Sequence, residues 1–374
     1  MISSFRIQGY RKFTDFQLDG LSRINFFVGK NNVGKTTLLE SVFGWACGCN
    51  LSPFLWTSVQ RNQYAQNFTA YHIAENIVSA INNRTKAPFS LKFTAIEKGQ
   101  EIKYAHEISL GDIFKDFVNE VAIETTAPNH ISAASMNQQS QGGIMQAVNT
   151  TVANWEISRN GENKYSRLIV WPNIFIDNIA PERLATYCDI NSHRNMDENR
   201  KLYVHLKRQN LIGKFVKEMQ EVFPEIAGFD ILPYQDNSLA PVSVQATNGE
   251  YYPLDTFGDG LRRMFQIIGA LIFYHDGIMC IDEIDSTIHP EAQKELCHSL
   301  IKYARKYNVQ LFVTTHNLEF IDNFLLSWHG DESFSDVDDI RIVSMKNVNN
   351  EVKTRIMTGK EAIDVRENFN LELR

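Results

Sequence analysis

The segment from Gly29 to Thr36 is the feature that most constrains the fold, because it reads Gly-Lys-Asn-Asn-Val-Gly-Lys-Thr. An apolar run at 24–28 precedes it, and a helix-like stretch at 36–43 follows it. A strand, a glycine loop and a helix in this order place backbone N–H groups and a helix N-terminus around one anionic point. We therefore expect this loop to bind the phosphates of a nucleoside triphosphate.

The positions of the loop have distinct expected roles. Gly29 and Gly34 allow the backbone to approach the phosphates closely, because neither carries a Cβ. Lys35 is expected to neutralise the β- and γ-phosphate oxygens, and the Thr36 hydroxyl to ligate Mg²⁺. The predicted nucleotide-binding residues of the loop are Gly29, Asn31, Asn32, Val33, Gly34, Lys35, Thr36 and Thr37.

The composition is that of an ordinary globular protein and gives an expected compartment. The 374 residues are 43% hydrophobic and 22% charged, which allows one large α/β domain with an insertion, or two domains. The N-terminus has no signal-like segment, and the longest apolar stretch, around 264–274, is too short to span a bilayer. No disulfide framework is apparent in the cysteines, which are Cys47, Cys49, Cys188, Cys280 and Cys297. We therefore expect a cytoplasmic protein with no membrane partner.

The net charge of −7 weighs against a surface built mainly for nucleic acid, although a local basic patch is compatible with it. The best candidate patch is 193–217, in which many basic residues accompany only Asp197 and Glu198. Its basic residues are Arg194, Arg200, Lys201, Lys207, Arg208, Lys214 and Lys217. Two interpretations stay open: a DNA contact, or the solvated face of an amphipathic helix whose apolar residues pack inward.

The rest of the chain divides into an antiparallel part and an alternating part. Hairpins are predicted in the first 20 residues, at 89–108 with a turn at 98–100, at 155–170 with a turn at 160–161, and at 231–252 with a turn at 247–250. The uncharged polar segment at 126–152 is expected to be a mobile loop around 129–143. The pattern at 181–228 is helical. From Asp255 onward, helix and strand alternate as in a parallel α/β sheet.

Two later apolar strands end in polar residues suited to phosphate chemistry. The strand at 277–281 delivers Asp282 and Glu283 to the sheet edge where ligands bind. Asp282 is expected to complete the Mg²⁺ shell, and Glu283 to orient or deprotonate the attacking water. The strand at 310–315 ends in His316, which is placed to hydrogen-bond the γ-phosphate or the catalytic water.

A glycine-rich turn precedes a further predicted helix. Residues 255–263 open the helix that runs through 264–272, and glycines before a helix N-terminus make a cup for an anion. A simple turn with an N-cap fits the same pattern. The order of the motifs is therefore the stronger signal: phosphate loop, long insertion, glycine cup, acidic strand, histidine strand.

In this order the chain resembles the ABC-type ATPase heads of the RecF/SMC/Rad50 group, and more closely the OLD-like "AAA family" ATPases of the AAA-15/AAA-21 type. The segments that carry the resemblance are 5–13, 29–40, 257–263, 281–290 and 314–320. The resemblance implies an α/β P-loop NTPase fold. Its expected parts are an ABC-type ATPase head with a mixed or parallel central sheet, an N-terminal antiparallel β portion, and a helical insertion between Walker A and signature.

The same resemblance implies one discontinuous ATPase domain over 1–374. Its nucleotide-binding core would comprise about 1–125 and 230–374, with the mobile polar loop at about 126–152 and an insertion of hairpin and helices at about 153–229.

By position, the resemblance assigns several site residues. It implies a signature segment that completes the site of a neighbouring subunit, made of Phe257, Gly258, Asp259 and Gly260. This segment departs from the common Ser-Gly-Gly pattern, so Thr256 or Asp259 would have to replace the serine. Asp285 resembles the D-loop that crosses to a second subunit. Arg11 corresponds to basic residues that lie against the nucleotide in relatives, although a surface arginine fits its sequence context equally. The Q-loop glutamine stays unassigned among Gln60, Gln63 and Gln66.

These expectations lead to an ATP- and Mg²⁺-dependent ATPase whose heads dimerise, or form a higher homo-oligomer, through shared ATP sites. Such an enzyme would drive a separate effector protein, such as a nuclease, in anti-phage defence. A RecF-like clamp that binds DNA under ATP control is the alternative, which keeps DNA as a second candidate partner. A nucleotide-gated scaffold without turnover is a third interpretation, and Glu283 weighs against it because mere binding has no use for this carboxylate.

Overall fold

The computed structural model describes residues 1–50, 53–54, 70–82, 88–114, 150–171, 181–232, 240–286, 290–331, 338–349 and 351–369. The α-helices in these ranges are α1 (Lys35–Ala46), α2 (Ala70–Ser79), α3 (Met196–Arg208), α4 (Ile212–Val222), α5 (Asp259–Phe273), α6 (Pro290–Lys306), α7 (Leu318–His329) and α8 (Gly359–Phe369). Short 3₁₀ helices lie at Asp112–Phe114, Ser192–Arg194 and Leu254–Thr256.

The strands form three sheets within the described ranges. They are β1 (Ile2–Tyr10), β2 (Phe13–Asp19), β3 (Ile24–Val28), β4 (Phe89–Glu97), β5 (Gln100–Leu110), β6 (Thr150–Arg159), β7 (Glu162–Trp171), β8 (Ala185–Cys188), β9 (Ile226–Ile231), β10 (Val242–Ala246), β11 (Tyr251–Pro253), β12 (Ile278–Ile281), β13 (Gln310–Thr315), β14 (Ile340–Val348) and β15 (Glu351–Thr358).

The central sheet positions the predicted motifs side by side. Its strand order is β15-β14-β3-β13-β12-β8, and all neighbours are parallel except the β14–β15 pair. Every residue of β3, β12 and β13 is buried, as expected for parallel strands covered on both faces. The carboxyl ends of these three strands therefore lie at one edge, where the segments after Val28, Ile281 and Thr315 meet.

An antiparallel sheet in the order β2-β1-β4-β5-β6-β7 forms a second layer. Strand β4 alternates buried residues with exposed or half-buried ones, since one face of the sheet packs inward. The predicted turns are confirmed: Lys98 and Gly99 join β4 to β5, and Asn160 and Gly161 join β6 to β7, all with positive φ. The hairpin predicted within 231–252 is confirmed as β10 and β11. Strand β9 pairs with β10 on the edge that faces away from β11.

Two hydrophobic clusters hold these layers together. One lies between α1, the antiparallel sheet and one face of the central sheet, where Trp45 packs edge-on against Phe5 with 6.3 Å between ring centroids. The other lies on the opposite face of the central sheet beneath helices such as α5, α6 and α7, and includes Phe26 and Phe324. Helix α1, which follows the phosphate loop, thus lies between two sheets.

The purely helical pattern predicted for 181–228 is wrong at its beginning. Ala185–Cys188 forms β8, which lies parallel to β12 at the edge of the central sheet. Four residues are too few to show a period of two, so the sequence carried no strand signal there. The hairpin placed in the insertion, β6–β7, continues the antiparallel sheet. The division into core, loop and insertion stays a prediction, and the centre of the expected mobile loop at 129–143 lies outside the described residues.

Candidate functional site

The loop from Gly29 to Thr36 connects β3 to α1, as its sequence context predicts. Gly29 and Gly34 have φ values of +150° and +108°, a region that side chains with a Cβ rarely adopt. A Cβ on Gly29 would overlap the carbonyl oxygen of Met345, and one on Gly34 would lie 3.0 Å from the Lys12 and Phe13 side chains. The two glycines thus leave a backbone cradle that fits phosphate groups.

Lys35 reaches back across this cradle from the first turn of α1. Its ammonium group donates to the carbonyl oxygens of Gly29 at 2.7 Å and Lys30 at 3.0 Å. Burial lowers the pKa of Lys35, and the carboxylates of the acidic strand end oppose this shift. The side chain is only 8% exposed, and both of its hydrogen-bond acceptors are neutral carbonyl oxygens. A bound phosphate would therefore give this buried cation an anionic partner.

Thr36 and Asp282, the two predicted Mg²⁺ ligands, come together from distant parts of the chain. The Thr36 hydroxyl donates to Oδ1 of Asp282 at 3.2 Å. Thr314 donates to the same oxygen at 2.5 Å, and the Tyr187 hydroxyl donates to Oδ2 at 3.3 Å. A hydroxyl beside a carboxylate is a suitable oxygen donor set for Mg²⁺. When bound, the cation would neutralise charge on the β- and γ-phosphate oxygens.

Glu283 has an unusual backbone that Thr314 holds in place. Its φ is +46°, in the left-handed region. Its N–H donates to Oγ1 of Thr314 at 2.8 Å, and the N–H of Ile284 donates to the carbonyl of Thr314 at 3.1 Å. Thr314 therefore bridges β13 to both carboxylate-bearing residues after β12. Sequence reasoning missed this role, although Thr314 stands in the quoted 314–320 segment.

Asp285 and His316 lie at the same edge of the sheet. Oδ1 of Asp285 accepts a hydrogen bond from the Thr315 hydroxyl at 2.5 Å, and Thr315 in turn accepts from the N–H of Asn317 at 3.0 Å. His316 is exposed directly after β13. Because β13 lies between β12 and β3, the strand end that carries His316 lies between the acidic strand end and the phosphate loop.

Arg11 forms an ion pair with a residue of α1, and the next residue, Lys12, contacts the phosphate loop. Nη1 of Arg11 lies 3.0 Å from the buried carboxylate of Glu40. Lys12 donates to the carbonyl oxygen of Asn32 at 2.7 Å and covers Gly34. Arg11 as a nucleotide ligand stays a prediction, whereas Lys12 is a cation on the phosphate loop that sequence reasoning did not name.

The signature segment forms the N-terminus of α5, with Gly258 as its N-cap. Asp259 is paired with Arg194 at 2.6 Å and with Arg262, and the hydrogen bond from Arg194 is the main reason why the pKa of Asp259 is lowered. The hydroxyl of Thr256 donates to the carbonyl of Pro253 at 2.7 Å. Thr256 and Asp259, the two residues expected to replace the signature serine, therefore both already have hydrogen-bond partners within the chain. Phe257 between them is half-buried.

A buried arginine joins this helix to the acidic strand end. Arg263 donates to the carbonyl oxygens of Asp189 at 2.6 Å and Asp282 at 3.2 Å. Its side chain has no exposed surface, and burial lowers its pKa, although a guanidinium keeps its charge in proteins. Sequence reasoning missed Arg263, because the pairing of a helix residue with a distant carbonyl leaves no local pattern.

Parts of the expected site lie outside the described residues. These are the Q-loop candidates Gln60, Gln63 and Gln66 and residues 287–289 after the D-loop. Among the helices that the structure does describe, none combines the length and the apolar character needed to cross a membrane.

Comparison with protein families gives two matches. The model of an AAA domain described as "putative AbiEii toxin, Type IV TA system" matches residues 162–322, and an AAA ATPase domain matches residues 1–43. A protein of Helicobacter pylori named "ATP/GTP phosphatase" is 22% identical over 343 residues, which cover 86% of this chain and 87% of that protein.

Solved structures with the same fold include two SMC heads. An SmcHead bound to the C-winged helix domain of ScpA gives a TM-score of 0.53 at 10% identity, covering 97% of this chain and 99% of that one. A Pyrococcus furiosus Smc head with an extended coiled coil, bound to the C-terminal domain of ScpA, gives 0.50 at 10% identity, covering 99% of both. These matches confirm the predicted resemblance: over residues 1–43 and 162–322 the chain is similar to AAA ATPase domains, and it has the fold of an SMC head.

Proposed function

We propose that the protein hydrolyses ATP to ADP and phosphate in composite sites that close two heads on each other, and that this closure licenses a separate effector protein. The hydrogen bond between Thr36 and Asp282 is the observation that carries the catalytic part. It brings the two expected Mg²⁺ ligands together, and the charge of Asp282 also acts on the neighbouring Lys35 ammonium group, so one phosphate chain could meet all three.

In this proposal the residues of the chain divide the work. Lys35 exchanges its carbonyl partners for phosphate oxygens and holds the terminal phosphate in place. Glu283, held by Thr314, orients the water and accepts its proton. His316 donates a hydrogen bond to the terminal phosphate from the neighbouring strand end. Positioning and electrostatics are the main requirements of phosphoryl transfer, and the arrangement provides both.

The contacts of the signature segment support dimer closure. The described ion pairs of Asp259 are with 193–194 and 262, whereas the phosphate loop contacts Lys12 and Met345. A second copy could present its 257–260 segment to this loop. Nucleotide would then hold the two copies together, and hydrolysis would weaken the interface.

The ion pairs formed by basic residues of 193–217 favour an ATPase that acts on a separate effector protein over a clamp that binds DNA. Arg194 pairs with Asp259, Arg200 with Asp197, and Lys207 with Asp230. Leu206 and Phe215 are buried, so 193–217 has the amphipathic character expected of a packed helix pair. We also propose that the protein is cytoplasmic, since all five cysteines are buried free thiols. From the resemblance to OLD-like ATPases we propose that its role is in anti-phage defence.

The test uses Glu283→Gln, which keeps the shape of the side chain and removes the base. We expect phosphate release to fall at least about 100-fold, while the variant forms a dimer with ATP and Mg²⁺ in analytical ultracentrifugation. Lys35→Ala is the control, because it should abolish both nucleotide binding and the dimer.

Two results would oppose the proposal. Unchanged turnover in Glu283→Gln would remove Glu283 from the catalytic role. A monomeric Glu283→Gln protein at saturating ATP would exclude closure between two copies, whatever its turnover.

A further inference from the structure

The turn before α5 contains a carboxylate surrounded by cationic groups. Oδ2 of Asp259 accepts a hydrogen bond from Arg194 at 2.6 Å, and Oδ1 accepts one from Arg262. The 15-residue helix α5 begins at this residue, so its positive N-terminal end adds to the field. A Cβ placed on Gly258 or Gly260 would meet nothing within 4 Å. The turn therefore has open space beside its glycines and holds one anionic group, the carboxylate of Asp259, between two arginines.

A buried histidine faces the same carboxylate and is not satisfied by it. The side chain of His193 has no exposed surface, and neither ring nitrogen forms a hydrogen bond with the described residues. Its Nε2 lies 3.5 Å from Oδ1 of Asp259. Burial, together with the nearby Arg263, lowers the pKa of His193 to about 4, so its ring is neutral at pH 7. Nε of Arg262 likewise has no described partner.

The carboxylate leaves some of these donors unsatisfied, since the ring nitrogens of His193 and Nε of Arg262 have no described partner. A terminal phosphate has three oxygens and more negative charge, and arginine binds phosphate in two-pronged fashion. Arg194 is 49% exposed, so its guanidinium can turn outward without leaving a core position. Asp259 caps no N–H group of the helix, so its visible role is to neutralise these arginines.

We propose that Arg194, Arg262 and His193 form a site for the terminal phosphate of the ATP bound by a second copy, and that Asp259 occupies this site until the phosphate displaces its carboxylate. The inference rests on the proposed composite site and adds its hydrogen-bond donors and its resting state. No bond is made or broken by these residues; one anion replaces another.

A mixing experiment tests the assignment to a second copy. Arg194→Ala is expected to lower turnover by about tenfold or more, by analogy with arginines that act on phosphate charge. Lys35→Ala is expected to be inactive. An equimolar mixture should regain about a quarter to a half of wild-type turnover, because each mixed dimer has one complete site, and its share of the dimers rises if Lys35→Ala forms no dimer with itself. No recovery in the mixture, or unchanged turnover in Arg194→Ala alone, would overturn the assignment.

Arg200→Ala is the matched control. Arg200 lies on the neighbouring helix α3 and pairs with the surface carboxylate of Asp197. We expect its turnover and its mixing behaviour to match the wild type. Arg194→Lys, which keeps a single cationic donor, should retain part of the activity that Arg194→Ala loses.

Dimerisation of the Glu283→Gln protein separates this inference from the proposed function. Adding Arg194→Ala should raise the ATP concentration needed for the dimer several-fold, and adding Asp259→Asn should lower it, since the resident anion is gone. If Glu283→Gln dimerises but neither second substitution moves the midpoint, the inference fails while the composite site stands. If Asp259→Asn raises the midpoint, the carboxylate is a ligand rather than an occupant, and the inference also fails. A monomeric parent protein would defeat the proposed function itself.

Discussion

At the scale of single residues, the site depends on side chains that support the motif residues. Asp282 is held by hydroxyl groups from three segments: Thr36, Thr314 and Tyr187. Each hydrogen bond fixes one carboxylate oxygen, and the Thr314 hydroxyl also accepts from the N–H of Glu283. Orientation of the two acids therefore depends on a threonine of the adjacent strand rather than on the acidic motif alone.

Thr314→Val tests this dependence with a side chain of the same shape. Loss of the hydroxyl should leave Asp282 and the N–H of Glu283 without one partner each and cost about 1–3 kcal/mol of unfolding free energy. We expect kcat for phosphate release to fall about tenfold or more, with nucleotide affinity measured without Mg²⁺ unchanged. Thr94→Val in β4 is the control, and equal kcat values in the two variants would contradict the role of Thr314.

At the scale of elements, α5 is connected to the end of β12 through one buried side chain. Arg263 lies four residues after Asp259 and donates to the carbonyl of Asp282. Its second bond, to Asp189, reaches the segment after β8. A shift of α5 on engaging a second copy would therefore move the peptide that precedes Glu283. Such coupling needs a rigid contact, and a fully buried guanidinium between two carbonyl groups provides one.

Arg263→Lys tests this connection. Lysine keeps the charge, but its ammonium group does not reproduce the planar, two-pronged geometry with which the Arg263 guanidinium spans these two carbonyl oxygens. We expect kcat to fall while KM and ATP binding to the phosphate loop stay near wild type, as judged by steady-state kinetics and binding of a fluorescent ATP analogue. An equal change in kcat and nucleotide affinity would indicate general damage to the site.

At the scale of the whole molecule, α1 joins the two sheets. Trp45 packs against Phe5 of β1 and Tyr104 of β5, and its indole N–H donates to the carbonyl of Ile102 at 3.1 Å. The guanidinium carbon of Arg183, just before β8, lies 4.1 Å from the ring centroid. One side chain on the phosphate-loop helix thus contacts the antiparallel sheet and the segment that leads into the edge of the central sheet.

Graded substitution of Trp45 should separate these contributions. Trp45→Phe removes the N–H group and part of the ring, and we expect a loss of about 1–2 kcal/mol. Trp45→Ala leaves a cavity between the sheets and should cost about 3–5 kcal/mol. Urea unfolding measures both values. Similar losses for the two variants would show that packing of the ring contributes little at this position.

The sequence by itself determined the motifs whose signal is local. The phosphate loop, the buried parallel strands and the Lys98-Gly99 and Asn160-Gly161 hairpins follow from patterns within about ten residues. These patterns predicted the class of fold and the residues now found at one sheet edge. The resemblance carried by their order predicted the type of ATPase.

Only the tertiary structure decided which groups support and neutralise those residues. The short strand β8, the contacts of Arg263, the bridge through Thr314 and the ion pairs of Asp259 all join segments distant in sequence. Arg263 contacts Asp189, 74 positions away, and Thr314 contacts Asp282, 32 positions away. Such pairs depend on how strands are ordered in the sheet and on which face a helix packs. The physical reason is that hydrogen bonds and ion pairs act through space, whereas periodicity is read along the chain.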